Sequence, residues 1–222
     1  MPVFFSIDHI AFTVFAYAVS YIELVGTIAG LLCVALAARN NVLTWPTAIL
    51  NVSCFFLIFW QVRLYADMFL QVYFMVMNIY GWVYWTQREQ AIEHPLRWLP
   101  ARSRLLSGLV ILIFTLVMGW VIAHLHLWAG TVFPEPAAFP YIDSLIAVMS
   151  ILAQLWLARR IIESWVLWVL VDAIAMVVYF WKGIMFIALE YLIFFFIASY
   201  GLYHWRKLWL RQGGSKLPVT HP

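Results

Sequence analysis

The sequence predicts an all-α membrane protein with seven transmembrane helices in a 3+1+3 arrangement: two parallel triple-helix repeats, one linking helix, and a short N-terminal interfacial helix. Three observations predict it. Hydrophobic residues make up 66% of the 222-residue chain and charged residues only 10%, with a mean hydropathy of +0.92. A soluble domain of that composition would have no polar surface to offer water. Seven apolar runs are each long enough, at about 1.5 Å of rise per residue, to cross a hydrocarbon core roughly 30 Å thick. Finally, sliding the chain 120 positions along itself, without a gap, puts Trp45 on Trp165, Tyr80 and Gly81 on Tyr200 and Gly201, and Trp85 on Trp205. Chance identities are common in so apolar a chain. These fall at corresponding helix ends, however, which is how an internal repeat reads.

Residues 1–20 are apolar and aromatic but are interrupted by Asp8 and His9 and lack a basic stretch. They are expected to form the interfacial helix and not a signal peptide. The spans follow at about 21–38, 42–61 and 66–86, then 105–125, then 141–158, 164–181 and 184–205. The repeats are therefore 21–86 and 141–206, with 87–140 as the linker that contains the fourth span and 207–222 as a tail. An odd number of crossings between two copies returns the chain to its starting side, so the copies run parallel.

The charges give an orientation. One side collects Arg39, Arg88, Arg97, Arg102, Arg104, Arg159, Arg160, Arg206, Lys207, Arg211 and Lys216, whereas the other has Arg63 and Lys182. The positive-inside rule then puts the C-terminus in the cytoplasm and the N-terminus outside. A net charge of +3 gives no reason to expect a nucleic-acid partner. Cys33 and Cys54 lie inside apolar runs and read as small buried hydrophobes. His124 and His126 form an H-x-H pair whose nearest acid is Glu135, too sparse a set for a metal site. No catalytic or cofactor motif is present.

Ionisable groups inside spans cost at least about 2.5 kcal/mol on insertion scales and usually face a partner or an aqueous cavity. Asp172 lies near the middle of the sixth span and Glu190 about two turns into the seventh. Glu23, Asp67 and Asp143 stand at outer span ends, where solvation is cheap. Helical spacing puts Trp165, Trp168, Asp172, Met176 and Tyr179 in one stripe. Gln71, Met75, Asn78 and Trp82 form another on the third span, and Ala48, Asn51 and Phe55 a third on the second. Aromatic stripes alone are ordinary packing, but stripes that carry amides and an acid need partners that lipid cannot supply. Rings that stack, a carboxylate that neutralises a cation and amides that bond hydroxyls suit a small aromatic cation with a polar tail.

At these residues the chain resembles the Pnu-type vitamin transporters. The resemblance runs through IELVGTIAGLLCVALA (22–37), WPTAILN (45–51), YADMFLQVYFMVMNIYGW (65–82), AFPYIDS (138–144), ESWVLWVLVDAI (163–174) and LEYLIFFFIA (189–198). It implies a fold similar to the SWEET sugar transporters, a homotrimer in a bacterial inner membrane, and facilitated diffusion of nicotinamide riboside, trapped inside by phosphorylation. Asn51, Gln71, Asn78, Trp168 and Glu190 match the family's polar and aromatic positions, and Asp172 stands where the pattern has asparagine or a related residue. Family members for thiamine and riboflavin keep those vitamins in view. A seven-helix receptor or sensor is the alternative from a different class, opposed by the repeat. A reporter fused after Pro222 should be active only in the cytoplasm, and one inserted near Pro136 only outside; activity of both in one compartment would refute seven spans.

Overall fold

The computed structural model describes residues 6–14, 17–62, 65–86, 95–128, 130 and 136–213, with the backbone alone at 65–67. Seven helices follow two short strands: β1 Ile10–Val14, β2 Tyr17–Ser20, α1 Tyr21–Ala38, α2 Thr44–Gln61, α3 Tyr65–Thr86, α4 Ala101–Trp128, α5 Pro140–Ala158, α6 Glu163–Trp181 and α7 Met185–Arg211. Five of them, α1, α4, α5, α6 and α7, are long and apolar enough to cross a membrane. Helices α2 and α3 have 18 and 22 residues, which at about 1.5 Å each is a comparable length. Asn51, Gln61, Gln71 and Asn78 lower their hydropathy. The fourth and seventh helices extend beyond the predicted spans 105–125 and 184–205, because basic and aromatic residues continue the helix past the apolar stretch.

The expected N-terminal helix is corrected. Residues 10–14 and 17–20 form an antiparallel strand pair, Ile10 opposite Ser20 and Val14 opposite Tyr17; residues 1–5 and 15–16 lie outside the described residues. The local sequence IAFTV and YAVS is rich in β-branched and aromatic residues that favour strands. Ser20 then starts α1 as its N-cap. Glu23 N–H donates to Ser20 Oγ at 3.3 Å, and Ser20 N–H donates to the Glu23 carboxylate at 3.4 Å, a complete capping box.

Residues 120 apart occupy matching environments. Helix α1 ends in a turn where Asn40 takes a positive φ of 57°, and α5 in a turn where Arg160 takes 58°. In both, the residue after the turn donates back to a carbonyl five residues earlier: Asn41 N–H to Leu36 O at 3.0 Å and Ile161 N–H to Trp156 O at 2.9 Å. This is a left-handed helix cap made without glycine. Trp45 then packs edge-on against Trp85 at 5.1 Å, and Trp165 against Trp205 at 5.6 Å.

The helices also meet in matching pairs. Helices α1 to α3 pack in succession, as do α5 to α7, and the two groups join where α1 meets α7 and α3 meets α5. Helix α4 packs on α5. The joints close at one end through tryptophans. Trp85 Nε1 donates to Ala158 O at 3.1 Å and Trp205 Nε1 to Ala37 O at 3.0 Å, while the two indoles lie 6.0 Å apart. Arg160 Nη1 donates to Asn40 Oδ1 at 3.0 Å, with its guanidinium 4.2 Å from the Trp85 ring. At the opposite end Lys182 pairs with Asp143 at 3.6 Å, and Ile7 N–H donates to Gln61 at 3.2 Å.

Glycine makes the indole packing possible. A Cβ at Gly81 would clash with the Trp45 ring, and one at Gly201 would come within 2.7 Å of Trp165. Gly108 on α4 has nothing within 4 Å. Gly81→Ala should therefore cost about 1–3 kcal/mol through overpacking, read as a lowered melting temperature in detergent, whereas Gly108→Ala should not lower it. Equal effects would refute this packing.

Candidate substrate-binding site

The seven residues expected to bind substrate fall into three groups. Asn51 is half-buried between helices, with Nδ2 donating to Gly26 O on α1 at 2.8 Å. A Cβ at Gly30 would meet that same nitrogen at 2.8 Å and the Phe194 ring of α7 at 3.8 Å. Glu190, one turn before Phe194, belongs to this α1–α7 side, near Thr27 and Glu23. Tyr17 lies beside it: the hydroxyl donates to Glu23 Oε1 at 2.7 Å, and the ring stacks on Phe186 at 5.4 Å. Burial, and then the bond to Glu23, pushes the Tyr17 hydroxyl above its ordinary range, so it remains a donor.

The second group lies on the α3–α5–α6 side. Asn78 is 2% exposed, and its Oδ1 accepts from Gln154 Nε2 of α5 at 2.7 Å. Gln154 is missing from the sequence-derived set: a lone uncharged glutamine inside an apolar span carries a weaker signal than the ionisable Asp172. Trp168 is half-buried and packs against both apolar clusters of the bundle. Asp172, one turn further along α6, is buried and makes no hydrogen bond or ion pair among the described residues. Such a carboxylate is costly unless something else meets it. Gln71, half-buried, lies two turns before Asn78 on α3.

Trp165 stands apart from the rest of its stripe. It is 1% exposed, held against Gly201 and Trp205, and has no free face for a ligand. Helical spacing put it on the Asp172 stripe. The repeat makes it the counterpart of Trp45, another enclosed indole at a helix start. His124 Nδ1 bonds back to Trp120 O at 2.8 Å within its own helix.

Apolar helices that keep amides and an unpaired acid inside the bundle define a polytopic membrane protein built to handle a polar ligand. The chain belongs to the nicotinamide mononucleotide transporter family, whose sequence profile matches residues 20–207. It is 37% identical over 238 residues to the nicotinamide riboside transporter PnuC of Escherichia coli, an alignment that covers 96% of this chain and 98% of that one. It is 28% identical over 210 residues to the riboflavin/roseoflavin transporter RibM of Streptomyces davaonensis, covering 94% of each. In fold it resembles a crystal structure of the vitamin B3 transporter PnuC, with a TM-score of 0.64 and 21% identity over 86% of this chain and 83% of that one.

An enclosed indole and a half-buried one should respond differently to truncation. Trp165→Ala should destabilise by about 3 kcal/mol or more, as large-to-small core changes do, and Trp168→Ala by clearly less. Melting temperatures in detergent check this, and the reverse order would contradict the placement of both rings.

Proposed function

We propose that this protein mediates facilitated diffusion of nicotinamide riboside across a bacterial inner membrane. The identity to a nicotinamide riboside transporter across nearly the whole of both chains carries this reading. We further infer a 3+1+3 arrangement in which two parallel halves, residues 21–86 and 141–206, alternate access to a site between them. The matched turns at Asn40 and Arg160 and the matched indole pairs support it. The N-terminus then lies outside, the basic ends of α4 and α7 lie in the cytoplasm, and phosphorylation inside the cell sustains net uptake. The family resemblance extends the reading to a homotrimer similar in fold to SWEET proteins.

Charge separates the riboside from the mononucleotide. A nucleotide brings a phosphate, which calls for arginine, lysine or a helix N-terminus. Helices α1, α2, α3, α5 and α6 contain no lysine or arginine. The groups that stand beside Trp168 and along α7 are Asp172 and Glu190, and carboxylates attract a pyridinium cation and repel a phosphate. In this reading the pyridinium ring stacks on Trp168, with Asp172 about one helical turn, roughly 6 Å, along the same face. Asn51, Gln71, Asn78 and Glu190 supply partners for the ring substituent and the ribose hydroxyls. Riboflavin, the cargo named for RibM, is neutral and bulkier and makes no use of the acid. Thiamine, a flat cation, does.

Calorimetry on purified protein with nicotinamide riboside, thiamine and riboflavin tests the assignment. Nicotinamide riboside should bind tightest, and Trp168→Ala should weaken it about tenfold or more, since stacking in a desolvated site contributes on the order of 1–2 kcal/mol. Asp172→Asn should weaken it as well, because the amide replaces the carboxylate's hydrogen bonds but not its charge. Tighter binding of thiamine would transfer the substrate assignment, and unchanged affinity in Trp168→Ala would move the site.

A further inference from the structure

Asn78 and Gln154 face each other where α3 meets α5. Each side chain carries one carbonyl and one NH2 group. The single bond from Gln154 Nε2 to Asn78 Oδ1, at 2.7 Å, leaves the NH2 of Asn78 and the carbonyl of Gln154 unused. Turning both amides over exchanges which residue offers which group, but the pair still presents one donor and one acceptor. Neither side chain makes another hydrogen bond among the described residues. The two residues are 2% and 8% exposed, yet neither leftover group is among the fully enclosed polar atoms that lack a partner. Both therefore keep a small accessible area through which another molecule can reach them.

A tie made only to hold these helices together looks different. Close by, the Tyr73 hydroxyl of α3 donates to Ile151 O of α5 at 2.8 Å. It uses its one proton and offers no carbonyl. Leaving a buried amide half-satisfied costs on the order of 1–3 kcal/mol, so two such amides placed side by side are better explained by a ligand that completes them.

We propose that Gln154 is a specificity-determining residue, and that the Gln154–Asn78 pair recognises a primary carboxamide on the substrate's ring. The NH2 of Asn78 donates to the substrate carbonyl, and the substrate NH2 donates to the carbonyl of Gln154. This rests on the nicotinamide riboside reading, because that molecule carries such a carboxamide on its cationic ring. A carboxylate in its place has no proton for the Gln154 carbonyl, so two acceptors would face each other in a buried site. Polar sites built for one hydrogen-bond pattern reject the wrong one far more strongly than apolar pockets reject a misfit in size.

The test compares nicotinamide riboside with its carboxylate analogue, nicotinic acid riboside, by calorimetry on wild-type and Gln154→Met protein. Wild type should prefer the carboxamide by about 100-fold or more. Gln154→Met, similar in volume but without the carbonyl, should bind nicotinamide riboside about tenfold more weakly and change little toward the acid, so the ratio narrows. A merely structural tie would weaken both ligands together, and an unchanged ratio overturns the proposal. If Gln154→Met does not fold, 3-acetylpyridine riboside decides on the wild type alone, since it keeps the carbonyl and lacks the NH2. Binding about tenfold weaker than nicotinamide riboside supports the proposal, and equal binding overturns it. Wild-type protein that binds none of these ribosides removes the transport reading, and this assignment with it.

Discussion

Two tryptophans that reach across the joint between helix groups hold this structure in register. Trp85 and Trp205 each donate an indole hydrogen bond to a carbonyl at or beside the C-terminal end of the opposite group's first helix, Ala158 and Ala37. Helix ends have carbonyls to spare. In an apolar setting an unmet one is expensive: Trp85 meets Ala158 O, and Trp205 adds a second donor at Ala37 O, which also accepts from Asn40 N–H at 2.8 Å, so both indoles tie the halves together. The rest follows from letting bulky rings come this close. Ala37, Ala38, Ala158 and Ala198 are almost wholly enclosed, and Gly81 and Gly201 leave room for Trp45 and Trp165. Positive φ angles at Asn40 and Arg160 turn the chain sharply enough to bring each next helix back alongside.

The scaffold is two-fold, whereas the candidate site is not. Positions 120 apart set Asn51 against Val171, Val52 against Asp172, Asn78 against Ala198 and Val34 against Gln154. Each polar group has an apolar counterpart. A ligand with a charged ring at one end and a sugar at the other has no symmetry of its own. A pseudosymmetric bundle can bind it only if the contacts depart from the repeat. In the proposed function, flexing about the joint would change access, and the polar residues that differ between halves would set what is carried.

The correspondence between positions 120 apart was legible because its matches fall at corresponding helix ends, Trp45 with Trp165 and Trp85 with Trp205, without a gap. The helices were legible from the length of the apolar runs. The strands at 10–14 and 17–20 were not, because an apolar segment of that length fits either period, and what favours the hairpin includes contacts from elsewhere: Tyr17 on Glu23 and Phe186. That Trp165 is enclosed was not legible, because helical spacing gives a face but not what occupies it. Gln154 was missed for a related reason. A stripe of one polar residue among apolar ones gives no pattern, and its meaning appears only when another helix brings Asn78 to it.

An acid near the middle of α6 that has no partner among the described residues, with no lysine or arginine in α1, α2, α3, α5 or α6 to relay a proton, fits a carrier that releases its cargo down a gradient. Uptake of labelled nicotinamide riboside into liposomes containing the purified protein, with the membrane potential clamped at zero and proton and sodium gradients imposed and then abolished, tests this most directly. Uptake should saturate with concentration and level off when the inner concentration equals the outer one, with or without the gradients. Accumulation above the outer concentration that depends on a gradient would contradict facilitated diffusion, and no protein-dependent uptake at all would contradict the function.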